Sequence, residues 1–198
     1  MRPFLHSWQR LLPQVLCVVF LAACSSDGSR GSAESAMQLN REHINEADVT
    51  ERQEEDAAFM VKLTGNTLLE IELGKLAQAR AHTPVARQYG TRLVQSKLEL
   101  LQSLRGLAAA KRLAVPAALS DDEQAAFHEV SSLSGPRLDQ KVLALVIKTH
   151  KQDEDALDEM RDDAYDGDIR GLAAKYLPPL REQLATAEEI ADEVDALP

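Results

Sequence analysis

DAAFMVKLTGNTLLEIELGKLAQARA, residues 56–81, is the stretch whose reading decides the fold. Phe59, Leu63, Asn66, Glu70, Leu73 and Ala77 recur at steps of three and four, the spacing that lines side chains along one face of an α-helix. Leu and Ala are dense, aromatic residues make up 4% of the chain, and no β-branched run favours a strand, so a helix is predicted over Asp56–Ala81. Glu70 sits on the apolar line of that helix. A charge in such a place must find a partner if it is buried.

The same pattern extends in both directions along the chain. His82-Thr83-Pro84 ends the first helix: Thr83 suits the cap and Pro84 the first position of the next helix. A second helix is predicted over Pro84–Leu113, with Ala86, Tyr89, Leu93, Ser96, Leu100, Leu104 and Leu107 on its stripe. Ala114-Val115-Pro116 breaks it. Ser120-Asp121-Asp122-Glu123 has capping-box form and opens a short helix, Asp121–Leu133, before Gly135-Pro136. The third long helix, Pro136–Tyr165, carries Leu138, Val142, Leu145, Thr149, Asp153, Ala156 and Met160 on one line, with Leu143, Val146, His150 and Leu157 beside it. The fourth begins near Asp168 after the turn Asp166-Gly167-Asp168. Pro178 and Pro179 remove backbone donors inside it, which predicts a kink or break near Leu177 before the helix resumes to about Ala196. Four amphipathic segments with one long crossing connection predict an all-α antiparallel four-helix bundle over residues 56–197. No solenoid-type repeat is visible.

The N-terminus reads as an export signal. Arg2 and Arg10 flank the apolar run Val15–Ala23, which falls short of the roughly 20 residues a membrane-spanning helix needs. Leu21-Ala22-Ala23-Cys24 resembles the bacterial lipobox, which implies cleavage after residue 23 and acylation (palmitate among the chains) of Cys24. Ser25 at the following position resembles outer-membrane sorting, facing the periplasm. Cys17 lies in the removed segment, so Cys24 is the one mature cysteine and no internal disulfide is possible. Residues 24–55 are polar and read as a lipidated flexible tether, with local helix near Arg41–Gln53. Without Arg2 and Arg10, 20 basic residues face 32 acidic ones, a net charge of −12. Such a surface repels phosphate backbones and excludes nucleic acid as the expected partner.

Several pieces resemble a known family: Gly65-Asn66 with Glu70-Ile71-Glu72-Leu73-Gly74-Lys75-Leu76-Ala77, Arg92-Leu93-Val94, Leu113-Ala114-Val115-Pro116, Leu138-Asp139, Thr149-His150 and Leu177-Pro178-Pro179-Leu180. In this order they resemble the bacterial domain-of-unknown-function 4142 family, over about Asp56 to Ile190. The resemblance implies a ferritin-like four-helix fold and an exported or lipid-anchored location, and no established activity. The family's second helix commonly reads Met-Val-x-Asp-His. Here the stretch is Leu93-Val94-Gln95-Ser96-Lys97, so Ser96 replaces the Asp and Lys97 the His. A second family histidine, three residues after the Leu-Pro-x-Leu element, is Gln183 here, whereas Glu70 and His150 remain. Lys97 beside Glu70 or Asp153 would form an ion pair where a cation would sit in other members.

A ferritin-type di-metal site needs Glu-x-x-His pairs, because three-residue spacing puts both ligands on one helix face. The residues three before His43, His82, His128 and His150 are Asn40, Ala79, Ala125 and Ile147, which disfavours an oxidase. A smaller transition-metal site would use Glu70, His150 and Asp153, the last two sharing a helix face. The competing reading has Glu70 hydrogen-bonded at the edge of the core and His150 partly exposed and neutral. No Gly-x-Ser-x-Gly turn and no Gly-rich phosphate loop is present. The acidic runs Asp153–Asp163 and Glu188–Glu193 read as solvated faces. The expectation is a lipid-anchored periplasmic helical bundle without catalysis or cofactor, a binding or structural module that meets an envelope protein. The alternative is a metal-binding protein with a degenerate site.

Overall fold

A computed structural model describes residues 33–45 and 51–196. They form six helices: α1 Ala33–Asn45, α2 Glu51–Arg80, α3 Pro84–Lys111, α4 Asp121–Ser131, α5 Pro136–Asp163 and α6 Gly167–Asp195. No strand occurs among the described residues, and no described helix is long and apolar enough to cross a membrane. The readings of residues 1–23 and of Cys24 lie outside the described residues.

Local chemistry sets the ends of these helices. The Thr83 side chain accepts the Ala86 N–H at the start of α3, with Pro84 in the first turn. At α4 the capping box is complete: Ser120 Oγ accepts the Glu123 N–H, and Glu123 Oε2 accepts the Ser120 N–H at 2.7 Å. Asp166 caps α6 by accepting from the N–H groups of Asp168 and Ile169.

The short turns make α2–α3 and α5–α6 two helical hairpins. They meet through α2 against α5 and α3 against α6, with α4 laid over α2 and α5 in the crossing connection. Backbones come closest where α2 meets α3. A Cβ on Gly90 would lie 2.7 Å from the Gly74 carbonyl oxygen and 2.8 Å from Gln78 N, so only glycine fits there. The core has two apolar layers. One gathers Leu69, Leu73, Leu93, Val142, Val146 and Ala187; the other gathers Met60, Leu63, Leu100, Leu104, Leu157 and Leu177.

Both turns are clasped by an aspartate from the opposite hairpin. Asp139 of α5 accepts from the backbone N–H of His82 (2.7 Å) and Thr83 (2.8 Å) and from Thr83 Oγ1 (2.8 Å). Asp56 of α2 accepts from the N–H of Tyr165 (3.0 Å) and Asp166 (2.8 Å). In each turn an arginine reaches back to two carbonyls, Arg87 to those of Ala81 and His82, and Arg170 to those of Ala164 and Tyr165. Corresponding members stand 83 positions apart: 56 and 139, 82 and 165, 83 and 166, 87 and 170.

Two expectations need correction. The stretch read as a flexible tether contains α1, which packs on α2 and buries Ala36 and Asn40. Asn40 holds it there: Nδ2 donates to the Ala114 carbonyl at 2.9 Å and Oδ1 accepts the Ala114 N–H at 2.7 Å. That loop lies 74 positions away, so no local pattern announced the contact. Of the kink or break expected near Leu177, the break is absent: α6 is one helix with Pro178 and Pro179 inside it. The prolines are exposed, as are Ala174 and Lys175, whose carbonyls lose their helical donors to the two rings. On that exposed side solvent can stand in for the lost donors, while buried Leu177 and Leu180 hold both sides of the interruption in the core.

Candidate functional site

Between the two apolar layers lies a polar one. Each long helix places a polar residue at this level: Glu70 from α2 follows Leu69, Lys97 from α3 lies between Leu93 and Leu100, and His150 and Asp153 from α5 lie between Val146 and Leu157. Gln183 of α6 reaches the edge, its Oε1 3.4 Å from Ser96 Oγ.

Glu70 is the centre of the arrangement. Its side chain is 0% exposed, and Lys97 Nζ, on a side chain 2% exposed, lies 2.6 Å from Oε2. Its other oxygen, Oε1, lies 2.7 Å from His150 Nδ1. These contacts are close in distance but off the directions of good hydrogen bonds, so the attraction is mainly that of charge. His150 Nδ1 is also 2.9 Å from the Val146 carbonyl oxygen. Both neighbours of Nδ1 are acceptors, which assigns a proton to that nitrogen. His150 Nε2 is buried without a hydrogen-bond partner.

Asp153 takes the other half of the layer. Asn66 Nδ2 donates to its Oδ1 at 2.5 Å, while Oδ2 is buried without a partner. The two acids respond oppositely to the same surroundings. Burial pushes Glu70 up, but Lys97 and His150 more than reverse this and hold its carboxyl below the ordinary range. Burial and the nearby charge of Glu70 push Asp153 up to about 8, against weaker opposing effects of Lys97, Asn66 and Lys62. Burial, with Glu70 adding to it, also raises the Tyr89 phenol, whose oxygen has no partner.

The sequence-derived site is assembled in part. Glu70 and His150 meet, and the ion pair expected of Lys97 is present. The expectation of a partly exposed His150 is corrected, since the side chain is fully buried. Asp153, read as part of a solvated acidic run, is buried as well, while Asp155, Glu159, Asp162 and Asp163 of that run are exposed. In this arrangement, with Lys97 on Glu70, the residues are not gathered as a metal centre. Among the described residues no three His, Cys, Asp or Glu side chains are grouped to hold an ion, and the Lys97 ammonium already covers one oxygen of Glu70. Asn66 was visible on the apolar stripe of α2, but nothing in the sequence marked it as the partner of Asp153.

The family model described as "Domain of unknown function (DUF4142)" matches residues 41–190. No curated protein and no solved structure matches the chain. The match runs from within α1 to near the end of α6 and takes in every residue of the polar layer. The chain belongs to the DUF4142 family.

Proposed function

We propose that this protein is a lipid-anchored module of the bacterial envelope, non-catalytic, with a ferritin-like four-helix bundle in which a fixed internal ion pair takes the place of a metal ion. The lipid on Cys24 anchors it to the periplasmic face of the outer membrane, and the bundle serves as a binding or structural element for an envelope protein. The observation that carries the reading is the buried Lys97 ammonium 2.6 Å from Glu70 Oε2. An ammonium supplies one positive charge to the carboxylate without open coordination positions, so the interior is neutralised with no reactive centre.

The test is metal content and thermal shift with iron, zinc, copper and manganese, on wild-type protein and on Lys97→His and His150→Ala variants. Wild-type protein is expected to hold less than a tenth of an equivalent of any metal and to show no metal-dependent shift. Stoichiometric metal whose stabilisation disappears in His150→Ala would overturn the reading. Mass spectrometry of membrane-extracted protein, with a Cys24→Ser variant, tests the anchor: a diacylglyceryl cysteine at the mature N-terminus is expected, and an unmodified cysteine would refute it.

A second reading has Glu70, His150 and Asp153 holding a transition metal. It is favoured by the two bare buried atoms, His150 Nε2 and Asp153 Oδ2. It requires Lys97 to withdraw from Glu70, and the same metal analysis decides it.

A further inference from the structure

A cavity of about 250 Å³ opens along the seam between α3 and α6 and reaches the polar layer. Leu63, Leu100, Leu157 and Leu180 form apolar walls, and Lys97 and Asp153 are the buried charged side chains that border it. A second cavity of about 230 Å³ lies along the same seam and shares Ser96, Pro179 and Gln183 with the first. Asp153 also borders a cavity between α2 and α5; at the α3–α6 seam Asp153 and Lys97 face the same space.

We infer that the α3–α6 cavity binds a small, uncharged, apolar molecule carrying one hydroxyl group, such as a substituted phenol or a short alcohol. Two polar groups with hydrogen-bonding capacity to spare stand at the inner end. Asp153 Oδ2 has no partner: as a carboxylate oxygen it accepts a hydrogen bond, and as the acid, which burial and Glu70 favour at neutral pH, it donates one. Lys97 carries three N–H donors, and Glu70 Oε2 faces its ammonium at 2.6 Å. A hydroxyl answers both, accepting from Lys97 and either donating to the Asp153 carboxylate or accepting from its acid. A cationic head meets the Lys97 ammonium, and a carboxylate head meets an ammonium that Glu70 already neutralises. Either brings an extra charge into leucine-lined space, where it is costly. The volume suits a single ring with a short substituent, smaller than the sites that take drug-sized ligands.

The inference rests on the Lys97–Glu70 pair staying intact, as the preceding reading has it, so metal content is measured on the same sample. Four single-ring probes are titrated into 15N-labelled protein: 4-ethylphenol, ethylbenzene, phenethylammonium and 3-phenylpropanoate. The expected result is amide shifts around Ser96, Lys97 and Asp153, with 4-ethylphenol bound at least tenfold more tightly than the other three. Asp153→Leu removes the polar demand and is expected to bring 4-ethylphenol and ethylbenzene to equal affinity. Ser96→Leu, at the seam and away from the Glu70 contacts, is expected to weaken 4-ethylphenol at least tenfold while the fold holds. Equal binding of ethylbenzene by the wild-type protein would overturn the inference, as would preference for either charged probe or no binding at millimolar concentration. Metal found in the sample would instead count against the preceding reading.

Discussion

Replacing Lys97 with Met tests the energetic centre of the protein, because Met keeps most of the buried stem and deletes the charge. Unit charges 2.6 Å apart attract by about 6 kcal/mol at an effective dielectric of about 20. The measured loss should be smaller, because Glu70 has an escape: it takes up a proton. Neutralising a carboxyl of ordinary pKa 4.5 at pH 7 costs about 3 kcal/mol, which caps the penalty. The remaining His150 contact at 2.7 Å lowers it somewhat further. Lys97→Met is therefore expected to lose about 3 kcal/mol at pH 7, within the range for breaking a buried pair. At pH 5.5 protonation costs less, and the loss relative to wild type should shrink to about 1.4 kcal/mol. Urea unfolding followed by circular dichroism reads both values. In a Glu70→Gln background most of the loss should vanish, since no charge is left uncompensated. A loss below about 1 kcal/mol at pH 7, or an equal loss in both backgrounds, would refute the account of Glu70 as a carboxylate held by Lys97.

Further outcomes follow from other parts of the molecule. Gly90→Ala puts a methyl group against the Gly74 carbonyl and the Gln78 backbone, and should destabilise by about 1–3 kcal/mol; unchanged thermal unfolding would contradict the close crossing of α2 and α3. Asp139→Ala leaves the His82 and Thr83 N–H groups without their acceptor, and should cost about 2–4 kcal/mol and speed hydrogen exchange at both amides. The Asp153 carboxyl, at about 8 in the folded protein against an ordinary 3.8, favours folding fully below pH 4. That advantage is lost as pH rises through about 8, by up to about 1.4 kcal/mol per pH unit, and then levels off. Asp153→Asn should flatten this decline, so parallel profiles of wild type and variant between pH 5 and 9 would count against it.

The sequence carried the features whose causes are local. The four long helices follow from apolar spacing, Ser120 and Glu123 form the capping box their order suggests, and Thr83-Pro84 starts α3 as its chemistry requires. The Lys97–Glu70 pair was legible for a different reason: Lys97 stands where the family pattern has a histidine, and Glu70, on the apolar line of α2, needed a partner. Features with distant causes were not legible. Asn40 fixes α1 through a loop 74 positions away, and Asp56 clasps backbone groups 109 and 110 positions away. The prolines of α6 are tolerated because that side of the helix faces water, which only the packing decides.

The 83-position correspondence between the hairpins has a consequence at the centre of the molecule. Carried inward from the turns, it sets Glu70 opposite Asp153 and Lys97 opposite Leu180. The architecture is near-symmetric, but its counter-charge is supplied once. One acid is neutralised by the chain itself and settled, while its twin faces leucine and stays in debt of a proton or a visitor. The two hairpins thus share their turn clasps but not their buried partners: Lys97 answers Glu70, and Leu180 stands at the position that corresponds to it.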